Sequence, residues 1–269
     1  MTSVRSAAAV LVSLLSVNPR GGEAQEVSGG RVRYDMARAT VFFDAGAFSA
    51  EEMGSFALLV DRGVNDIDGL LNHAMPGAGQ APPITVVVRD EVSMSRSFRR
   101  RVMLPGDRVR LRTAPYLHEI THVVVPMKQE CLWLSEGFAS YVQSYVAERI
   151  GGYDGYVFSW GGNSNIDRLA RRTLNSDLGR TALPYVGGAG EPPEIFEKRR
   201  EVAQPLYVLS HSFVKFMIEN AGLEKVKTLV QSANIERSAE ALTGRSIPAW
   251  KDDWLAMLNA PRADVATAR

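Results

Sequence analysis

The chain has 269 residues, and 31 Lys and Arg against 30 Asp and Glu leave a formal net charge of +1. That balance excludes general nucleic-acid or polyanion binding, which needs a basic excess. A single cysteine, Cys131, excludes an intramolecular disulfide framework.

The N-terminus reads as an address. Arg5 precedes an apolar run from Ala7 to Val17, too short to span a bilayer comfortably, and Gly22-Glu23-Ala24 offers small residues at a cleavage site before Gln25. The expectation is a signal peptide over residues 1–24 and an exported protein, periplasmic or secreted. A membrane enters only if this segment stays uncleaved as an anchor. The 245 residues from Gln25 to Arg269 are enough for one large domain or two small ones with a proper core.

Ala39–Asp44 is rich in β-branched and aromatic residues and predicts a strand. Ser49, followed by Glu51 and Glu52, predicts a helix start, and the apolar stripe Met53, Phe56, Leu59, Val60, Val64, Ile67, Leu70 and Leu71 carries that helix to about Asn72. His73 is expected to cap its C-terminal end, and Pro76–Pro83 to form a loop. Ile84–Arg89 predicts a buried strand.

Arg96, Arg99, Arg100 and Arg101 form a basic cluster, followed by a Pro105-Gly106-Asp107 turn. Arg108, Arg110 and Arg112 then alternate with Val109 and Leu111, which predicts a strand with the arginines on one face. Such a strand reads as a charged edge that resists aggregation.

His118-Glu119-Ile120-Thr121-His122 has the H-E-x-x-H pattern. On a helix, positions i and i+4 share one face, so His118 and His122 can point at one ion while Glu119 stands beside it as a base. The predicted helix is capped by Thr113, carries Pro115 in its first turn and stops at Pro126. A second helix runs from about Leu134 to Ile150, ends at Gly151-Gly152, and brings a carboxylate, Glu136, at its start. Two histidines and one glutamate leave a fourth tetrahedral position open, as a catalytic zinc requires. Cys131 reads as a small buried apolar residue and Tyr141 as packing.

The segment from His118 to His122, with Trp133-Leu134-Ser135-Glu136-Gly137-Phe138-Ala139 after it, resembles the gluzincin metallopeptidases, especially the aminopeptidase N type, whose pattern is H-E-x-x-H followed by W-L-x-E-G-F-A. The resemblance implies one zinc ion held by His118, His122 and Glu136, with Glu119 as general base. Thirteen residues separate His122 from Glu136, several fewer than in the well-known members, which fits compact relatives with one catalytic domain. The family's G-x-M-E-N signature, which reads a free substrate N-terminus, has no counterpart, so endopeptidase action is the expectation. The resemblance also implies an extended substrate along the edge strand ahead of the metal helix, where these arginines would favour an acidic peptide.

From Tyr153 to Gln204 the chain is rich in Gly, Asn and Pro, with one predicted helix over Ile166–Leu174, and Gly187–Gly190 reads as a plain loop. Pro205–Gly222 predicts a helix built on Leu206, Val208, Leu209, Phe213, Phe216 and Met217. Tyr207 and His211 lie at i and i+4 on it, and either can donate a hydrogen bond to an oxyanion. The resemblance implies a tyrosine at the start of such a helix as the oxyanion donor, which favours Tyr207 and leaves His211 as the alternative or as a residue supporting the site from behind. Helices are expected over Leu223–Ala233, Glu236–Leu242 and Pro248–Leu258, with Trp250 and Trp254 in the core and a loose tail from Pro261.

These readings predict an α+β, zincin-like catalytic domain over residues 25–269, with a small mixed sheet (about 31–125) followed by a mainly helical half (about 130–260). The expected activity is zinc-dependent hydrolysis of a peptide or protein substrate, with no nucleic-acid partner. A catalytically silent peptide- or protein-binding module on the same scaffold is the alternative.

Overall fold

A computed structural model describes residues 24–27, 30–72, 83–153, 162–188 and 200–260. Residues 1–23 of the predicted leader, His73, most of the Pro76–Pro83 loop and the tail from Pro261 lie outside the described residues, while Ala24, the leader's last predicted residue, begins a strand.

Six strands form one mixed sheet: β1 (Ala24–Val27), β2 (Arg31–Asp35), β3 (Ala39–Asp44), β4 (Ile84–Arg89), β5 (Arg96–Phe98) and β6 (Arg101–Pro105), in the spatial order β1-β2-β3-β4-β6-β5. β3, β4 and β6 run parallel, while β1, β2 and β5 add antiparallel pairings at the two sides. β3 and β4 occupy the residues that composition predicted. Val41, Phe43, Ile84, Val86 and Val88 are fully buried, as central strands require.

Helix α1 (Ala50–Leu70) crosses from β3 to β4 and begins with a reciprocal capping box between Ser49 and Glu52. Two side chains fasten it to the sheet. Asp61 accepts from the backbone N–H groups of Arg38 and Ala39 at 2.6 and 3.1 Å, and Asp68 pairs with Arg38 at 2.8 Å.

One expectation about the arginine-rich region is corrected. Residues 108–112 are not a strand: α2 (Gly106–Arg110) is a short helix, with Pro105 at its N-cap and Asp107 in its first turn. Five alternating residues fit either period. The sheet had already taken the preceding Arg101–Pro105 as β6, and Pro105 with Asp107 supports a helix start. The charged edge lies earlier in the chain, because Arg96–Phe98 pairs antiparallel with β6 and forms one edge of the sheet.

The helical half comprises α3 (Tyr116–Val124), α4 (Leu132–Tyr145) continued by a π-helical turn (Val146–Ile150), α5 (Gly162–Leu174), α6 (Asp177–Ala182), a 3-10 turn (Leu183–Tyr185), α7 (Arg200–Ala221), α8 (Leu223–Val230), α9 (Ile235–Thr243) and α10 (Ile247–Asn259). The stretch expected to be irregular after Tyr153 is thus more helical than its composition suggested. Among the described residues no helix is long and apolar enough to cross a membrane. One hydrophobic cluster runs from Tyr34 in β2 to Leu258 in α10 and includes Trp250 and Trp254. Gly137 lets α4 and α7 approach closely: a Cβ there would lie 2.5 Å from the Ser210 carbonyl oxygen and 2.6 Å from Val214 Cγ2.

Candidate metal centre

α3 is almost wholly buried, so its polar residues must find partners inside the protein. Its N-cap, Pro115, has no side-chain hydrogen bond to give, and Thr113, the expected cap, donates instead to the Arg108 carbonyl. The first-turn N–H of His118 is satisfied from outside the helix, by Gln143 Oε1 of α4 at 3.1 Å. α4 therefore both completes the start of α3 and fixes its distance.

The i, i+4 spacing brings the two histidine rings together, with centroids 4.7 Å apart and planes at 83°. His118 Nε2 and His122 Nε2 are 3.0 Å apart. Glu136, near the start of α4, places Oε2 2.9 Å from His118 Nε2 and Oε1 3.5 Å from His122 Nε2. One ligand-type atom from each of the three residues can be chosen so that all lie within 4.8 Å of one another, and this is the grouping of that kind among the described residues. Tetrahedral ligands at ordinary zinc distances stand about 3.3 Å apart, so the observed separations fit one zinc ion. Cys131 is buried and belongs to the core.

The electrostatics match a site built to hold charge. Burial raises the Glu119 carboxyl above the usual carboxylate range, against the pull of His118 and His122. Burial pushes Glu136 the same way, but the His122 charge and hydrogen bonds to both histidines override it and hold Glu136 well below that range. Burial would lower His122, yet the charge and hydrogen bond of Glu136 raise it. Tyr207 is raised by burial and by the Glu136 charge, so its phenol keeps its hydrogen.

These groups open onto a cleft of about 430 Å³. His118, Glu119, His122 and Glu136 form its floor, Ser95–Arg99 of the edge strand and its flanks line one wall, and Pro126, Met127 and Tyr207 line it as well. Tyr207 hydrogen-bonds to Glu136, and its ring centroid lies 6.3 Å from that of His118. His211 takes a different direction. It is fully buried, does not line the cleft, and meets Asn163 Oδ1 of α5 through Nε2 at 2.6 Å.

Two residues that the sequence did not single out support the site. Ser135 Oγ lies 3.1 Å from His122 Nδ1, and Ser97 of the edge strand hydrogen-bonds to Glu119. Both depend on how separate elements meet, which no local pattern encodes.

No family model and no curated protein matches the chain. Solved structures similar to it include a mutant M1 zinc metallopeptidase from Deinococcus radiodurans, with 13% identity over 90% of this chain and 52% of that one at a TM-score of 0.48. A mutant two-domain M1 zinc metallopeptidase bound to L-arginine shows 15% identity over 88% and 51% at 0.47. One bound to L-tryptophan shows 14% identity over 90% and 52% at 0.45. The chain thus spans about half the length of these structures.

Proposed function

We propose that this protein is a zinc-dependent peptide-bond hydrolase of the gluzincin type, acting within peptide or protein chains. The observation that carries the reading is the convergence of His118, His122 and Glu136 on one point, with Glu119 and Tyr207 in the same cleft. His118, His122 and Glu136 would hold the ion through two imidazole nitrogens and a carboxylate oxygen, leaving the cleft side for substrate. Zinc, when bound, supplies Lewis-acid activation of water and of the scissile carbonyl.

The remaining chemistry belongs to side chains. Glu119, raised by burial, accepts the proton of the attacking water near neutral pH and passes it to the leaving amine. Tyr207, which keeps its hydrogen, donates to the oxyanion that develops on the carbonyl oxygen. His211 stands behind the floor and is assigned to structure, through its bond to Asn163. The absence of a G-x-M-E-N segment supports internal cleavage.

The test is a peptide library incubated with zinc-loaded wild type and with Glu119→Gln, with products mapped by mass spectrometry. Internal cleavage by wild type and its loss in Glu119→Gln, at equal zinc content, are expected. Peptide binding without products in both proteins would replace the hydrolase with a silent binding module.

A further inference from the structure

The wall of the cleft made by the edge strand carries charge that the reaction does not use. Arg96 and Arg99 line the cleft and are both exposed. Many other arginines of the sheet half have carboxylate partners: Arg33 with Asp35, Arg38 with Asp68, Arg89 with Glu91 and Arg110 with Asp90. Among the described residues, no ion pair involves Arg96 or Arg99. The carboxylates of the cleft are committed elsewhere, Glu136 to the two histidines and Glu119 to proton transfer. Pro126 and Met127, which also line the cleft, are uncharged.

Arg99 is also placed with some effort. It sits in the tight turn between β5 and β6 with φ +54°, a conformation in which glycine or asparagine is the least strained choice. Its guanidinium lies over the ring of Phe98, 5.3 Å from the centroid, and Phe98 itself is 73% exposed. A guanidinium stacked on an exposed ring loses less freedom on meeting a carboxylate than a free side chain does.

We propose that Arg96 and Arg99 select substrates carrying a carboxylate close to the scissile bond, so that the enzyme prefers acidic peptides. The peptide itself rests on the hydrolase reading above; the charge preference rests on the two arginines. Two sources can offer the group, an Asp or Glu side chain or the peptide's own C-terminus. Both arginines line the same cleft as His118, Glu119, His122 and Glu136, so the carboxylate they would meet belongs to the part of the substrate that flanks the scissile bond. The arginines of α2 and its flank take no part, because that region is a helix away from this wall and Arg112 lines a separate cavity.

The test uses the full chain and a matched dye-labelled peptide set: Glu or Gln at each position flanking the scissile bond, each with a free or an amidated C-terminus. Affinity is read by fluorescence anisotropy and turnover by kcat/KM, in wild type, in the Arg96→Gln/Arg99→Gln double variant and in Arg112→Gln. Exposed ion pairs of this kind predict a preference of about three- to tenfold in wild type at low salt. That ratio should shrink with added salt, fall towards one in the double variant, and persist in Arg112→Gln. A Glu-over-Gln preference assigns the group to a side chain, and an acid-over-amide preference to the terminus. Equal affinity for all peptides, or a ratio untouched in the double variant, overturns the proposal while leaving hydrolysis intact. A binding preference without cleavage sustains it and rejects the hydrolase reading, and failure to bind any peptide rejects both.

Discussion

Ser135 Oγ stands 3.1 Å from Nδ1 of His122, and Ser135 is the residue immediately before Glu136. Two consecutive residues near the start of α4 thus present both the carboxylate of the candidate metal centre and a partner for the far side of one histidine. If His122 lends its Nε2 lone pair to a metal, Nδ1 must carry the hydrogen, and Ser135 accepts it. Ser135→Ala should lower zinc affinity by about tenfold, in the range usual for such outer partners, with little change in thermal stability. Chelator competition measures it, and an unchanged affinity would assign Ser135 to the surface of α4 alone.

Gln143 caps α3 from the neighbouring helix. Replacing it with Leu keeps the volume close and removes the acceptor, leaving the buried His118 N–H without its bond. The expected loss is about 1–3 kcal/mol of stability, read from urea denaturation at neutral pH. Gln143→Glu restores an acceptor and should recover part of that loss.

Gly137 is the contact point of α4 with α7, and a methyl group there meets the Ser210 carbonyl at 2.5 Å. Backbone rather than a flexible side chain is in the way, so Gly137→Ala must push the helices apart. Overpacking of this kind costs about 1–3 kcal/mol, or roughly 2–10 °C in Tm for a chain of this size. Because Glu136 is the preceding residue, zinc affinity should fall with it.

His211 gives the protein a pH signature. Burial lowers its pKa from the ordinary imidazole value of 6.5 to about 3, helped by the nearby His118 and Lys215. The unfolded chain therefore binds this proton below about pH 6.5 while the folded chain does not until about pH 3. The stability that His211 contributes is present above the unfolded pKa and is lost as the pH falls through that window. His211→Gln should remove up to one proton's worth of slope from stability against pH between 6.5 and 3, measured by urea denaturation across the range. Parallel curves for variant and wild type would contradict the burial of a neutral imidazole.

Much of the candidate site was legible in the sequence because its spacing is a property of one helix. His118 and His122 need only the α-helical period to share a face, with Glu119 beside them, and Glu136 needs only a short connection to a second helix. The strands Ala39–Asp44 and Ile84–Arg89 were legible for the same reason: a run of β-branched residues between turn signals carries its own message.

What the sequence withheld depends on contacts between elements. Arg96–Phe98 is too short and too charged to announce a strand, and becomes one only because β6 offers it a partner. Residues 108–112 alternate like a strand but fold as a helix. Tyr207 and His211 do lie one turn apart, yet the offset of about 40° and 6 Å between such positions is enough to send one to the cleft and the other to Asn163. Ser135 and Gln143 carry no signal at all until α3 and α4 are packed together.

The central claim is that His118, His122 and Glu136 form a single zinc site, and metal content tests it most directly. Purified full-length wild type and Glu136→Ala are dialysed against zinc, freed of loose metal and analysed by mass spectrometry of the element. The account predicts about one zinc per wild-type chain and a loss of tight binding in Glu136→Ala, whose removed carboxylate is one of three ligands. Wild type that holds no zinc, or a Glu136→Ala protein that holds it as tightly, would contradict the account.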